Sequence, residues 1–258
     1  MTIRHMGGRV KDPPASKVGR NIRQVLPRVR AVAPAPSIYM TVPSPLIMDQ
    51  GSKPECVCYA CSGMDSDDQF RQSGTQYVFN PDWLYKQCKQ QDGIPNEAGT
   101  YPSVALKIMQ AQGMELAGCR QKPDLKWGIS GSFAITAENT DEEIKQVLQL
   151  YGTIITAMDW YDLWMGTFLV FPDVKGLQPN GGHCINMVGW DDTIPIWDGT
   201  TGGWIKRNSW NHEWGEYGGD LTGMSVMGYS QFRSLILPQA DCWKVIINQP
   251  VSGVARGI

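Results

Sequence analysis

Cys56, His183 and Asn208 are the residue types that nucleophilic acyl transfer requires. A thiol attacks carbonyl carbon well when it is ionised, and an imidazole takes and returns a proton near neutral pH. An amide oxygen can hold that imidazole in one tautomer. Histidine is scarce in this chain (His5, His183 and His212), so few positions compete for the role of base. His183 follows two glycines in GGHCINMVGWDD, at the start of a predicted strand. Cys56 follows the loop MDQGSKPE and opens a predicted helix, whose positive N-terminal end favours a thiolate. Gln50, six residues earlier, is placed to donate its amide N–H to an oxyanion alongside the Cys56 backbone N–H. Asn208 lies in GGWIKRNSWNHEWGEYGG, where Trp210 and Trp214 are close enough in sequence to shield an Asn–His bond from water. The bland reading makes Cys56, Cys58 and Cys61 buried small hydrophobes.

These residues need elements to hold them. Helices are predicted from Cys56 to about Arg71 and over PDWLYKQCKQ, with Asn80 as N-cap and Pro81 in the first turn. A third runs from Tyr101 to Gln112 and is stopped by Gly113. TDEEIKQVLQLYG gives a fourth, with a Thr140–Glu143 capping box and Gly152 as its end. Later the texture changes to short β-branched and aromatic runs: TIITAMDW, HCINMVGW, GGWIKRNSW and DCWKVIIN. A helix-rich first half and a strand-rich second half predict an α+β fold.

The 258 residues are 42% hydrophobic and 19% charged, enough for a sizeable core. A net charge of −2 gives no reason to expect a nucleic-acid or membrane protein. Residues 1–40 nevertheless carry eight Lys or Arg against the single acid Asp12. Residues 1–45, basic and Pro-rich, read as an extended arm that binds a neighbouring protein subunit or an acidic surface, or stays solvated. MTIRHMGGRVKD has no apolar core of a secretory signal, and no stretch reaches the roughly 20 apolar residues of a membrane span. The seven cysteines are not spaced as a disulfide framework. The expected location is therefore a reducing compartment such as the cytoplasm.

DQGSKPECVCYA resembles the active-site segment of papain-like cysteine peptidases, in particular bacterial and phage-type members that read D-Q-G-x-x-G-x-C-V-G-F-A. GGHCINMVGWDD is similar to the family's G-x-H-A-V-x-x-V-G-Y, and WIKRNSWNHEWGEYGG to its x-I-K-N-S-W-G-x-x-W-G-x-x-G-Y. NEAGTYPSVALKIMQAQGM resembles the glycine stretch and helix that line one wall of the family's cleft. The resemblance spans about residues 45–245. It implies a helix-rich subdomain over 46–130 carrying Cys56, packed on a β-rich, barrel-like subdomain over 131–258 carrying His183 and Asn208. The active site would lie in the cleft between them. It further implies a cysteine endopeptidase acting on peptide or protein substrates without a cofactor, with Gln50 in the oxyanion hole. Gly99, Thr100 and Tyr101 would line the non-prime side, and Trp210 and Trp214 the prime side. Cys58, followed by Tyr-Ala, is a weaker candidate nucleophile, because the family keeps Gln and Cys six positions apart. Pro54 and Glu55 depart from the pattern, and a carboxylate beside the nucleophile would oppose a thiolate unless it caps the helix from outside. No inhibitory propeptide is recognisable in residues 1–45.

Two rivals follow. The fold could be retired from catalysis and serve a structural or assembly role, as a virion component for example. Alternatively Cys56, Cys58 and Cys61, with His183 or Cys184, could bind a metal. Helical residues 56 and 58 point about 200° apart, which argues against a shared ion.

Overall fold

The computed structural model describes residues 9–12, 21–24, 36–118, 126–220, 222–239 and 242–250. Four helices of at least nine residues form where local signals place them. Helix α1 spans Cys56–Ser73 and ends on Gly74, whose φ of 71° permits the left-handed cap. Helix α2 spans Pro81–Lys89, with the Asn80 side chain accepting from the Trp83 N–H. Helix α3 spans Pro102–Gln112 and stops at Gly113. Helix α4 spans Asp141–Tyr151 under a complete Thr140–Glu143 capping box.

Eight strands form one antiparallel sheet: β1 Ile38–Met40, β2 Met114–Glu115, β3 Lys126–Ile135, β4 Ile154–Asp159, β5 Gly182–Pro195, β6 Thr201–Arg207, β7 Met224–Gly228 and β8 Cys242–Pro250. Their order is β2-β3-β8-β4-β5-β6-β7, with β1 added along β5. This sheet supplies the β-rich half of the expected α+β fold, and residue 130 lies inside β3.

Residues of β4 alternate between two cores, as the two-residue period of a strand requires. Ile155 and Ala157 join Cys184, Trp243 and the buried faces of α1, α2 and α3. Ile154 and Met158 join Ile185, Met187, α4 and an aromatic cluster built on Trp160, Trp164, Trp210 and Trp214. Strand β4 is buried on both faces, which explains why IITAM shows no alternation of apolar and charged residues.

The described parts of the basic arm fold back on their own chain. Ile22 enters the aromatic-side core. Arg23 reaches Glu143 at 2.8 Å, and Asn21 forms an isolated bridge with Ala134. Among the described residues no helix is long and apolar enough to cross a membrane.

Candidate active site

Cys56 is the first residue of α1 and is fully buried. The Cys184 backbone N–H donates to its sulfur, so the residue after His183 lies directly on the thiol. His183 is the second residue of β5. Its Nε2 is 2.8 Å from Asn208 Oδ1. That oxygen also accepts from the Ser209 backbone N–H at 2.8 Å, which fixes the orientation of the amide. An amide oxygen only accepts, so Nε2 carries the hydrogen and Nδ1 is the nitrogen left for proton transfer. Trp210 stacks on the imidazole at 4.6 Å between centroids, and Trp160 meets it edge-on at 4.6 Å.

Trp210 and Trp214 are fully buried in this cluster, and Trp214 Nε1 donates to the Trp164 carbonyl. Trp210 covers the histidine, and Trp214, expected with it on the prime side, packs edge-on against Trp210 behind it. Trp160, which meets the imidazole edge-on, was not singled out from sequence. Its only signal was its place at the end of the TIITAMDW run.

Gln50 is buried in a turn bolted to the segment after β6. Its backbone N–H donates to the Ser209 carbonyl, Asp49 bridges Trp210, and Ser209 Oγ donates to Gln50 Oε1 at 2.6 Å. Gln50 Nε2 spends one N–H on the Lys53 carbonyl at 2.8 Å. A primary amide has two, which leaves one for an oxyanion. Losing one such donor typically costs about 3–4 kcal/mol of barrier. Gln50→Ala is therefore expected to lower turnover on the order of a hundredfold or more. Steady-state kinetics on the folded variant measures it, and near-normal turnover would remove Gln50 from the site.

Burial pushes the Cys56 thiol up to about 12, against the lowering effects of the Cys184 N–H and the Arg9 guanidinium. Desolvation by burial thus opposes the thiolate that the helix terminus favours. Cys58 packs against Cys88 in the apolar core, and burial first, then Cys88, raises its thiol. Cys56 is touched by the His183–Cys184 strand, whereas the partner given for Cys58 is Cys88. Among the described residues no group of three or more His, Cys, Asp or Glu is arranged to hold a metal.

Glu55 makes no side-chain cap to α1, contrary to the benign role open to it from sequence. Its Oε2 is buried with no hydrogen-bond partner among the described residues. Burial first, then a shared bond with Asp82, raises it to about 7, while Lys53 opposes the shift. A carboxyl raised in the folded state binds its proton more tightly than in the unfolded chain. Its ionisation therefore costs stability progressively as pH rises from about 4.5 to about 7. Glu55→Gln is expected to raise Tm relative to the unsubstituted chain at pH 8 and to lose that advantage at pH 4. Thermal scans across this range check it, and a gain independent of pH would contradict it.

Residues 9–12 lie against the segment that holds Thr100 and Ser103. Arg9 bridges Thr100, and the Val10 N–H donates to the Thr100 carbonyl at 2.9 Å. Asp12 accepts from the Ser103 backbone N–H at 3.1 Å and from its hydroxyl at 2.5 Å. Gly99 and Thr100, expected to bind substrate, are buried. Gly99 takes a φ of 83° and donates its N–H to Tyr85 Oη at 3.2 Å. Thr100 Oγ1 donates to Asp92 Oδ2 at 3.1 Å. Tyr101 is the N-cap of α3.

With this geometry in place, comparisons with known proteins are informative. A family model described as "Papain family cysteine protease" matches residues 60–221, a span that contains His183 and Asn208 but begins after Cys56. A cathepsin B-like cysteine proteinase of Schistosoma japonicum is 29% identical over 91 residues, covering 34% of this chain and 24% of that protein. Peptidase 1 of Dermatophagoides farinae is 28% identical over 158 residues, 57% of this chain and 43% of that protein. The chain thus matches less than half the length of these relatives. Among solved structures, xylellain, a cysteine protease from Xylella fastidiosa, superposes with a TM-score of 0.70 at 16% identity, over 95% of this chain and 99% of that one. A proCathepsin B from Trypanosoma congolense gives 0.64 at 18% identity, over 91% and 88%.

Proposed function

The chain belongs to the papain family of cysteine proteases, and from that premise we propose that it is an endopeptidase held latent by its own N-terminal segment. The observation that carries the reading is the His183–Asn208 pair, sealed under Trp210 one residue from the N–H that touches the Cys56 sulfur. His183 Nδ1 takes the thiol proton, and the thiolate sulfur bonds to the scissile carbonyl carbon. The oxyanion is held by the Cys56 N–H and the second Gln50 N–H. As the C–N bond breaks, the imidazolium returns its proton to the leaving amine. Water, deprotonated by His183, then cleaves the thioester and restores the thiol. Asn208 keeps the ring in the tautomer that both halves require.

Latency is supported by Arg9, Val10 and Asp12, which contact Thr100, Ser103 and, at Gly182, β5, while Cys56 has no exposed surface. One structural relative is likewise a pro form.

The test is alkylation of the full chain by a limiting amount of an epoxide thiol reagent at pH 6, with the modified residue located by mass spectrometry. Ordinary thiols are almost wholly protonated there. The unsubstituted chain is expected to react slowly. The Arg9→Ala/Asp12→Ala variant, which loses both anchors of the segment, is expected to react at Cys56 roughly tenfold faster or more. A Cys56 that stays inert in the folded double variant would overturn the reading in favour of a structural or assembly role for the fold.

A further inference from the structure

Arg9 is 5% exposed, an unusual burial for a residue of a basic arm. Its Nη1 lies 3.1 Å from Asp159 Oδ1 at the end of β4, while the Asp159 side chain keeps 33% of its exposure. Gly182 pairs with Asp159 across β4 and β5 and immediately precedes His183. A Cβ at Gly182 would stand 2.8 Å from Arg9 Cδ and 2.9 Å from the Arg9 carbonyl oxygen. Any side chain there would push the Arg9 backbone off the wall. The glycine therefore forms a shelf for a crossing main chain, and the carboxylate beside it meets the side chain that the main chain carries.

The chain that leaves β4 at Asp159 is acidic as far as Lys175. Residues 159–173 include Asp159, Asp162 and Asp173 and no Lys or Arg. Asp162 is held at 2.8 Å by Asn180, two residues before Gly182. Gly182 is the residue before His183 on β5, so Arg9 and Asp159 lie next to the histidine's own strand position, and the Arg9 guanidinium acts on the Cys56 thiol electrostatically.

We propose that Asp159 and Gly182 form a specificity subsite for an arginine or lysine side chain of the substrate, beside the scissile bond, which Arg9 fills in the resting chain. The proposal rests on the endopeptidase reading above and adds the substrate class to it. An Arg or Lys side chain pairs with the carboxylate by a charge-assisted hydrogen bond, and a neutral side chain leaves Asp159 without that partner.

The test uses the full chain carrying Arg9→Ala/Asp12→Ala, incubated with a degenerate peptide mixture whose products are sequenced by mass spectrometry. Arginine and lysine are expected to be enriched at one fixed position next to the cleaved bond. Adding Asp159→Asn is expected to lower the ratio of kcat/KM for an arginine peptide over its norleucine analogue roughly tenfold or more. Adding Asp159→Lys is expected to shift the ratio towards a glutamate peptide. Cleavage without basic enrichment, or enrichment that survives Asp159→Asn, would overturn the subsite and leave the endopeptidase reading standing. Absence of any cleavage would overturn both.

Discussion

Replacing His183 with alanine in the Arg9→Ala/Asp12→Ala background is expected to lower peptide turnover on the order of 10⁴-fold or more. The imidazole sits between Trp160 and Trp210 with Nε2 bonded to Asn208, so its position is fixed on three sides. No other described histidine can take over: His212 belongs to a short turn over Asn211–Glu213 that contributes no buried residue. Without an imidazole the Cys56 proton has no acceptor of suitable basicity in a site where burial already disfavours the thiolate. The variant also empties space between two indoles, which by itself destabilises. His183→Gln, which refills part of that space but cannot act as a base, separates the two effects. Both variants are expected to lose turnover and the pH 6 labelling of Cys56, with the Gln variant retaining the higher Tm. Turnover retained in a folded His183→Ala protein would remove the histidine from the chemistry and return the fold to the structural reading.

The catalytic candidates were legible because their signals are local or spaced within short motifs. Asn80, Thr140, Gly113 and Gly152 act on their own helix termini, and structure and sequence agree there. Strand β3 was missed because KWGISGSFAI mixes two glycines and two serines into its alternation. Its pairing partner β8 lies more than a hundred residues away. The contacts of the described parts of the arm were hidden for the same physical reason. Arg9 and Asp159 are 150 positions apart, and nothing in a proline-rich basic stretch says which acid it will meet. Composition pointed to an acidic surface, and the described contacts place acids of its own chain against Arg9 and Arg23. The lock between Ser209 and Gln50 was equally invisible, since it joins two motifs that sequence could only order and not dock.

Asp67→Ala is expected to destabilise the fold by about 3–5 kcal/mol, because it strands a buried guanidinium. Asp67 Oδ1 lies 2.9 Å from Arg207 Nη1, and both side chains are almost wholly buried. The remaining capacity is used: Thr153 Oγ1 donates to Asp67 Oδ2 at 2.6 Å, and Arg207 Nη2 donates to Asn186 Oδ1 at 2.8 Å. Asn186 in turn donates to the Ala60 carbonyl of α1 at 2.9 Å. Gly63 makes the approach possible, since a Cβ there would lie 2.5 Å from Arg207 Nη2. This pair joins three elements of the site. Asp67 belongs to the helix that begins at Cys56, Asn186 follows His183 by three residues, and Arg207 immediately precedes Asn208. An apolar core could hold α1 on the sheet equally well, but it would leave α1 able to slide, whereas a directional charge-assisted bond whose remaining atoms are held by Thr153 and Asn186 sets its register. Urea unfolding should therefore show a lowered midpoint for Asp67→Ala. The double change Asp67→Leu/Arg207→Met should recover much of that stability, since it leaves no unpaired charge. If register is what the pair supplies, the double variant will fold yet label at Cys56 more slowly than the unlocked parent. Full labelling in it would confine the pair to a stabilising role.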